Sequence, residues 1–128
     1  MSQPTIVPYF SFADGAAAIE FLEKAFGFEI IQRQDAEDGT LIHCEMRYGD
    51  GVVMMGTDAG RAKGSPGVYV VVEDVQAHHD RAMKHGARIV YGPEQTEWGT
   101  WRYRALGPEG HEFTFGTYSP STEPPSWA

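Results

Sequence analysis

Apolar and polar positions along this chain follow two different periods, and the switch between them occurs in the same order twice. Residues 5–10, TIVPYF, are short, β-branched and aromatic, and predict a first strand in which Pro8 is tolerable only at an edge or a bulge. Asp14 then precedes GAAAIEFLEKAFG, where Ile19, Leu22 and Phe26 recur at three- and four-residue steps. This predicts a helix, with Asp14 able to cap its start and Gly27 supplying a left-handed stop. Residues 28–34 read as a second strand, ended by the loop composition DAEDG at 35–39. Residues 40–48 alternate and turn at Gly49-Asp50-Gly51 into 52–55, the pattern of a β-hairpin.

After the linker-like TDAGRAKGSP at 57–66, the order repeats. Residues 67–72 form an apolar β-branched run, Glu73-Asp74 precede the helical stretch VQAHHDRAMKH, and Gly86 stops it. Residues 88–91 make a strand and 92–97 a loop. The stretch WGTWRYRALGPEGHEFTFGTY, 98–118, then supplies two strands about a Gly-Pro-Glu-Gly turn. The halves align, with Ala13-Asp14 matching Glu73-Asp74 and the run GVVMMG from Gly51 matching GHEFTF from Gly110. The expectation is an α+β protein of two βαβββ modules, about 4–57 and 67–118, with helices on one sheet face and the other curving into a cleft. The Pro- and Ser-rich end, 119–128, reads as a flexible tail or as a strap laid down by Trp127.

Composition narrows the function. A chain of 128 residues with 41% apolar content suits one globular domain. The net charge of −8 argues against nucleic acid as a partner and favours cationic or neutral ligands over anionic ones. No apolar window is long enough for a membrane span and no leader pattern is present, so a cytoplasmic protein is expected. Cys44 is the sole cysteine, which rules out an intrachain disulfide and a multi-cysteine metal cluster.

The segments FADGAAAIEFLEKAFGFE, HCEMRYGDGVVMMG, VVVEDV with its helix, and WGTWRYRALGPEGHEFTFG together resemble the vicinal oxygen chelate superfamily, over residues 5–118. That group includes glyoxalase I, extradiol dioxygenases, fosfomycin-modifying enzymes and bleomycin-resistance proteins, and the last segment is similar to its PhnB-like branch. The resemblance implies the glyoxalase/bleomycin-resistance fold, curved sheets around a ligand cleft, and a homodimer. In metal-using members the first and last strands of each module carry His or Glu ligands. Carried over, those positions are Val7, Met55, Val68 and Thr114, the first two to within one residue. None is a good ligand for a divalent cation. The implied protein needs no metal or cofactor, has no catalytic residue, and sequesters an aromatic or peptide-like natural product or antibiotic. The alternative is an enzyme: a glyoxalase- or dioxygenase-type metalloenzyme using His43, Glu45 and Glu112, or a metal-free isomerase with Glu45 or Glu112 as base.

Strand alternation supplies the candidate wall of the cleft. With Thr114 facing the cavity, Glu112 joins it, while Phe113 and Phe115 turn to the helices. In the first hairpin Leu41, His43, Glu45 and Arg47 share one face, and the more apolar Ile42, Cys44, Met46 and Tyr48 meet the helices. Matching Tyr48 to Leu106 puts Trp101 and Tyr103 beside His43 and Glu45 on the cavity side, Arg102 on the helix side, and Tyr9 in the cavity if Val7 faces inward. Trp98, Trp101 and Tyr103 are the aromatic candidates for stacking on a planar or cationic ligand. Met55, with Met54, offers an adaptable apolar floor. His43 with Glu45 reads either as a ligand-contacting pair or as a solvated sheet face. His78 and His79 read as solvated helix surface, His85 as a helix-end cation, His111 as a turn or packing residue, and Cys44 as an inert buried thiol.

Overall fold

The computed structural model describes residues 7–59 and 67–119. Parts of the expected first strand and linker, and nearly all of the tail with Trp127, lie outside these residues. Within them the order is β1 (Tyr9–Phe12), α1 (Gly15–Phe21) running on into a π-helical segment (Leu22–Phe26), β2 (Glu29–Asp35), β3 (Leu41–Tyr48), β4 (Gly51–Thr57), β5 (Val68–Val71), α2 (Val75–Lys84), β6 (Arg88–Gln95), β7 (Trp101–Leu106) and β8 (Glu112–Gly116). Two four-stranded sheets result, ordered β1-β4-β3-β2 and β5-β8-β7-β6. In each, the first strand pairs parallel to the last and the remaining pairs are antiparallel. This is an α+β protein of two βαβββ units.

Local chemistry explains the repetition. Asp14 accepts a hydrogen bond from the Ala17 amide at 3.1 Å, and Asp74 one from the Ala77 amide at 2.9 Å, so each helix starts on an aspartate cap. Gly27 (φ 83°) and Gly86 (φ 86°) then take the left-handed conformation that lets the chain leave the helix. Registers repeat too. The row Tyr9, Met54, Glu45, Gln32 across the first sheet corresponds to Tyr69, Thr114, Arg104, Tyr91 across the second. Both edge strands carry a bulge at the same place, Ile31 and Val90. The edge position also explains why β6 runs on through Pro93, where a loop was expected.

One face of each sheet is buried, and both faces are buried in the same core. Phe26, at the end of the first helical segment, packs on Phe113 (ring centroids 5.1 Å) and Phe115 (4.9 Å) of the second sheet. Phe10 reaches Phe113 at 5.6 Å. His78 of α2, expected on solvated helix surface, is buried in this seam instead. Its Nε2 lies 2.9 Å from the Phe26 carbonyl, which can only accept, so Nε2 carries the proton and Nδ1 accepts from the Tyr103 hydroxyl at 2.6 Å. The bond satisfies a helix-end carbonyl that would otherwise lack a partner. Burial pushes the imidazole below its ordinary pKa. His111 is buried between the edges of Phe10 and Phe12 and hydrogen-bonds the Ser11 carbonyl, and burial lowers its pKa also. Cys44 is a core thiol pushed up to about 11 by burial.

The Gly-Pro-Glu-Gly turn fastens the modules from outside. The Glu109 carboxylate accepts from the amides of Ala13 and Asp14 at 2.5 and 2.7 Å, at the start of α1, and Glu109 holds φ 56° to do so. Replacing Glu109 by Ala removes both acceptors, and a loss of about 1–2 kcal/mol in unfolding free energy is expected from denaturant titration, as for a helix cap. Glu109→Gly loses the same bonds but relaxes the backbone, so it should be the milder change. A second expectation concerns pH. The folded state holds His78 and His111 neutral with lowered pKa, so the unfolded chain binds more protons below about 6.5. Stability is full above that value and falls as pH drops through it towards 5, by up to roughly 1.4 kcal/mol per pH unit for each histidine. His78→Gln should flatten this slope in urea midpoints measured from pH 7 to 5; an unchanged slope would show that His78 is not the source.

Candidate functional site

The sheet faces turned away from the helices are open. In the first sheet this face carries Tyr9, Met54, Glu45 and His43; in the second it carries Tyr69, Thr114, Glu112, Arg104 and Arg102. His43 Nε2 and Glu45 Oε2 lie 3.0 Å apart, half-buried, and hydrogen bonds from His43 and Gln32 hold the Glu45 carboxyl below the usual range. Arg104 Nε donates to Thr114 Oγ1 at 2.9 Å, with Glu112 3.8 Å away, and Arg102 Nε donates to Glu94 at 3.0 Å. Both guanidiniums lie over the Tyr91 ring, at 5.7 Å for Arg102 and 5.3 Å for Arg104.

At the end of the second sheet Tyr69 and Arg102 join Thr96, Trp98, Thr100, Trp101 and Tyr118 in lining a cavity of about 480 Å³. That volume lies within the range of small-molecule sites. The β6–β7 turn builds one wall. The amide of Thr96 donates to the carbonyl of Thr100 (2.8 Å), the amide of Gly99 donates to the carbonyl of Thr96 (3.0 Å), and the two threonine hydroxyls meet at 2.8 Å. This turn holds out Trp98, which is 81% exposed. Trp101, 44% exposed, is fixed through its backbone by Thr117, whose hydroxyl accepts from its amide and whose own amide donates to its carbonyl. The Tyr69 side chain crosses Gly116, where a Cβ would collide with its hydroxyl, and donates to the Tyr118 carbonyl at 2.9 Å.

The first module has the same turn without the aromatics. The amide of Ala36 donates to the carbonyl of Thr40 at 2.8 Å and that of Gly39 to Ala36 at 3.0 Å, but Asp38 stands where the second module has Trp98, and Leu41 where it has Trp101. Leu41 fits inward because α1 begins with Gly15, whose absent side chain leaves it room. The second helix begins with Val75, and Trp101 stays at the surface beside it.

Several expected wall residues lie elsewhere. Tyr103 is fully buried, stacked on Phe115 at 5.1 Å, and Met55 is fully buried opposite Phe10 and Cys44. The matching of Tyr48 to Leu106 is one residue out. The first hairpin turn encloses Gly49 and Asp50, the second Pro108, Glu109 and Gly110, so Tyr48 corresponds to Gly107. A shift of one flips every side chain. Arg102 and Arg104 therefore take the open face that had been expected for Trp101 and Tyr103. In the same way Met54, not Met55, corresponds to Thr114, and Val68 packs against the core while Tyr69 faces out. Ile42, expected against the helices, is exposed and Leu41 buried, because a register irregularity lies between Gln34 and Asp35. Trp98 and Trp101 do meet in the cavity; Tyr9, His43, Glu45, Glu112 and Thr114 lie on the open faces. Tyr69, Thr96, Thr100, Arg102 and Tyr118 are cavity residues that the sequence reading did not place there. Tyr69 had a signal, since it repeats Tyr9.

A divalent metal at the positions implied by the resemblance finds no suitable donors. The corrected rows offer Tyr9, Met54, Tyr69 and Thr114, and among the described residues no three His, Cys, Asp or Glu side chains form a metal-binding group.

Comparison with known proteins agrees with this architecture. The family model described as "Glyoxalase/Bleomycin resistance protein/Dioxygenase superfamily" matches residues 10–115. An uncharacterised protein of Mycobacterium bovis is 31% identical over 127 residues, covering 89% of this chain and 83% of its own. Among solved structures, TioX from Micromonospora sp. ML1 is 28% identical with a TM-score of 0.75, covering 94% of this chain and 100% of that one. Glyoxalase I from Zea mays has a TM-score of 0.76 at 19% identity, a likeness of fold, over 96% of this chain and 47% of that one. No helix among the described residues is long and apolar enough to cross a membrane. The repeated βαβββ units, their shared core and the matching family model make this chain a member of the glyoxalase/bleomycin resistance protein/dioxygenase superfamily.

Proposed function

We propose that this protein captures a planar aromatic small molecule, in the manner that the bleomycin-resistance part of the family name suggests, rather than transforming it on a metal. The observation that carries this reading is the cavity walled by Tyr69, Trp98, Trp101 and Tyr118, built on a turn whose counterpart in the first module has Asp38 and Leu41 instead. Aromatic rings offer flat, rigid contact area at little conformational cost, and stacked pairs contribute about 0.5–1.5 kcal/mol beyond area burial. Tyr9, Met54, Tyr69 and Thr114, which offer neither carboxylate nor imidazole to a divalent ion, support the metal-independent part of the reading. A homodimer belongs to the same proposal. β2 is exposed along its whole length, and Tyr9, Ile31, Ile42 and Val90 present apolar surface that a second copy would cover.

The pair His43 and Glu45 favours one other reading, a metal-free isomerase with Glu45 as base. Its lowered pKa makes Glu45 a weak base near neutral pH, which places this reading second.

Tryptophan fluorescence and calorimetry against a panel of planar aromatic compounds test the proposal. Trp98→Ala and Trp101→Ala should each weaken binding about 5- to 10-fold, in line with loss of one stacking partner. His43→Ala should leave affinity unchanged. A panel that produces no binding, or a ligand converted to product in a His43-dependent way, would overturn the capture reading. Sedimentation at micromolar concentration should show a dimer, and a stable monomer would remove that part.

A further inference from the structure

We infer that the cavity selects aromatic acids, planar rings bearing a carboxylate or similarly placed anion, although the chain as a whole carries a net charge of −8. The inference rests on the aromatic-capture reading of the same cavity and adds the ligand's charge to it. Of the seven described residues lining the cavity, Arg102 is the one that carries a charge, and none of these seven is Asp or Glu. Cages that hold cations combine aromatic faces with carboxylates, whereas a guanidinium in the wall repels a cation and presents N–H groups to an anion.

Arg102 is placed to do this. Its Nε donates to Glu94, its Cζ lies 5.7 Å from the Tyr91 ring centre, and the side chain lines the cavity. The ion pair to Glu94 is about half exposed on both sides, 47% and 48%, so it is weak. Among the described residues no carboxylate lines the cavity: Glu94 pairs with Arg102, Glu112 lies beside Arg104, Glu73 and Asp74 line a separate cavity that Trp101 also borders, and Glu97 is exposed on the β6–β7 turn. The charge that the described wall presents is thus opposite in sign to the net charge of the chain.

Three probes of one shape test this: 2-naphthoate, 2-naphthamide and 2-(aminomethyl)naphthalene, titrated by calorimetry at 0.05 and 0.15 M salt. The naphthoate should bind roughly tenfold or more tighter than the amide, the gain expected of a charge-assisted hydrogen bond, and the ammonium weakest. Arg102→Gln should lower the acid's affinity roughly tenfold and abolish the gap between acid and amide, and Arg102→Lys should retain part of the gap. An unchanged thermal unfolding curve verifies that each variant is folded. Equal binding of all three probes, tighter binding of the ammonium, or a preference for the acid that survives Arg102→Gln overturns the anion inference and leaves aromatic capture standing. Failure of all three to bind removes both.

Discussion

The aromatic seam between the two modules is the constraint on which the rest of the structure depends. Phe26, carried on the π-helical continuation of α1, inserts against Phe113 and Phe115 of the second sheet, and His78 of α2 closes over it to bond the Phe26 carbonyl. Each unit thus lends the other part of its cover. Burial of one such phenylalanine is worth about 1.5–3 kcal/mol, so the seam holds the units together far more strongly than any exposed ion pair on the surface. The imidazole in its middle is tolerated because both ring nitrogens have partners, Phe26 and Tyr103. With the inner faces committed to this core, the outer faces are left free for binding.

The candidate cavity lies where the modules depart from the repeat. Caps, turns, bulges and strand registers are duplicated almost residue for residue: Asp14 with Asp74, Ile31 with Val90, Tyr9 with Tyr69. Onto this duplicated frame the second module adds Trp98 and Trp101, in place of Asp38 and Leu41, and Arg104 in place of Glu45. Gly15 and Val75 decide the outcome at the helix start, since only the glycine leaves space beneath it for the side chain that opens the third strand. A fold that needs both units for its core can vary one outer end without disturbing the seam.

Much of this was legible in the chain. The βαβββ order twice over, the aspartate-capped helices with glycine stops, the buried Cys44 and the prominence of Trp98 and Trp101 all follow from local rules of period, capping and turn chemistry, and the inward Phe113 and Phe115 follow by alternation once the resemblance sets Thr114 on the open face. Those rules act over a few residues and need no knowledge of the partner element. What escaped them depended on register or distant contact. Tyr103 and Met55 changed sides because the second hairpin turn holds one residue more than the first, and period-two alternation cannot detect a slip of one. His78 looked like helix surface because the surface it meets, Phe26 and Tyr103, comes from positions 52 and 25 residues away.

By itself the sequence determined the fold class, the repeat and the presence of an aromatic wall, because these rest on intrinsic preferences and on hydrophobic period. Only the tertiary structure decided which aromatics face outward, that Tyr69 and Tyr118 join them, and that Arg102, with no carboxylate among the described residues, lines the same cavity. Facing is a property of strand pairing, and pairing is settled by the packing of one module against the other. The charge inside a cavity is likewise a matter of which few groups the fold brings to its wall, and the total charge of the chain does not contain that information.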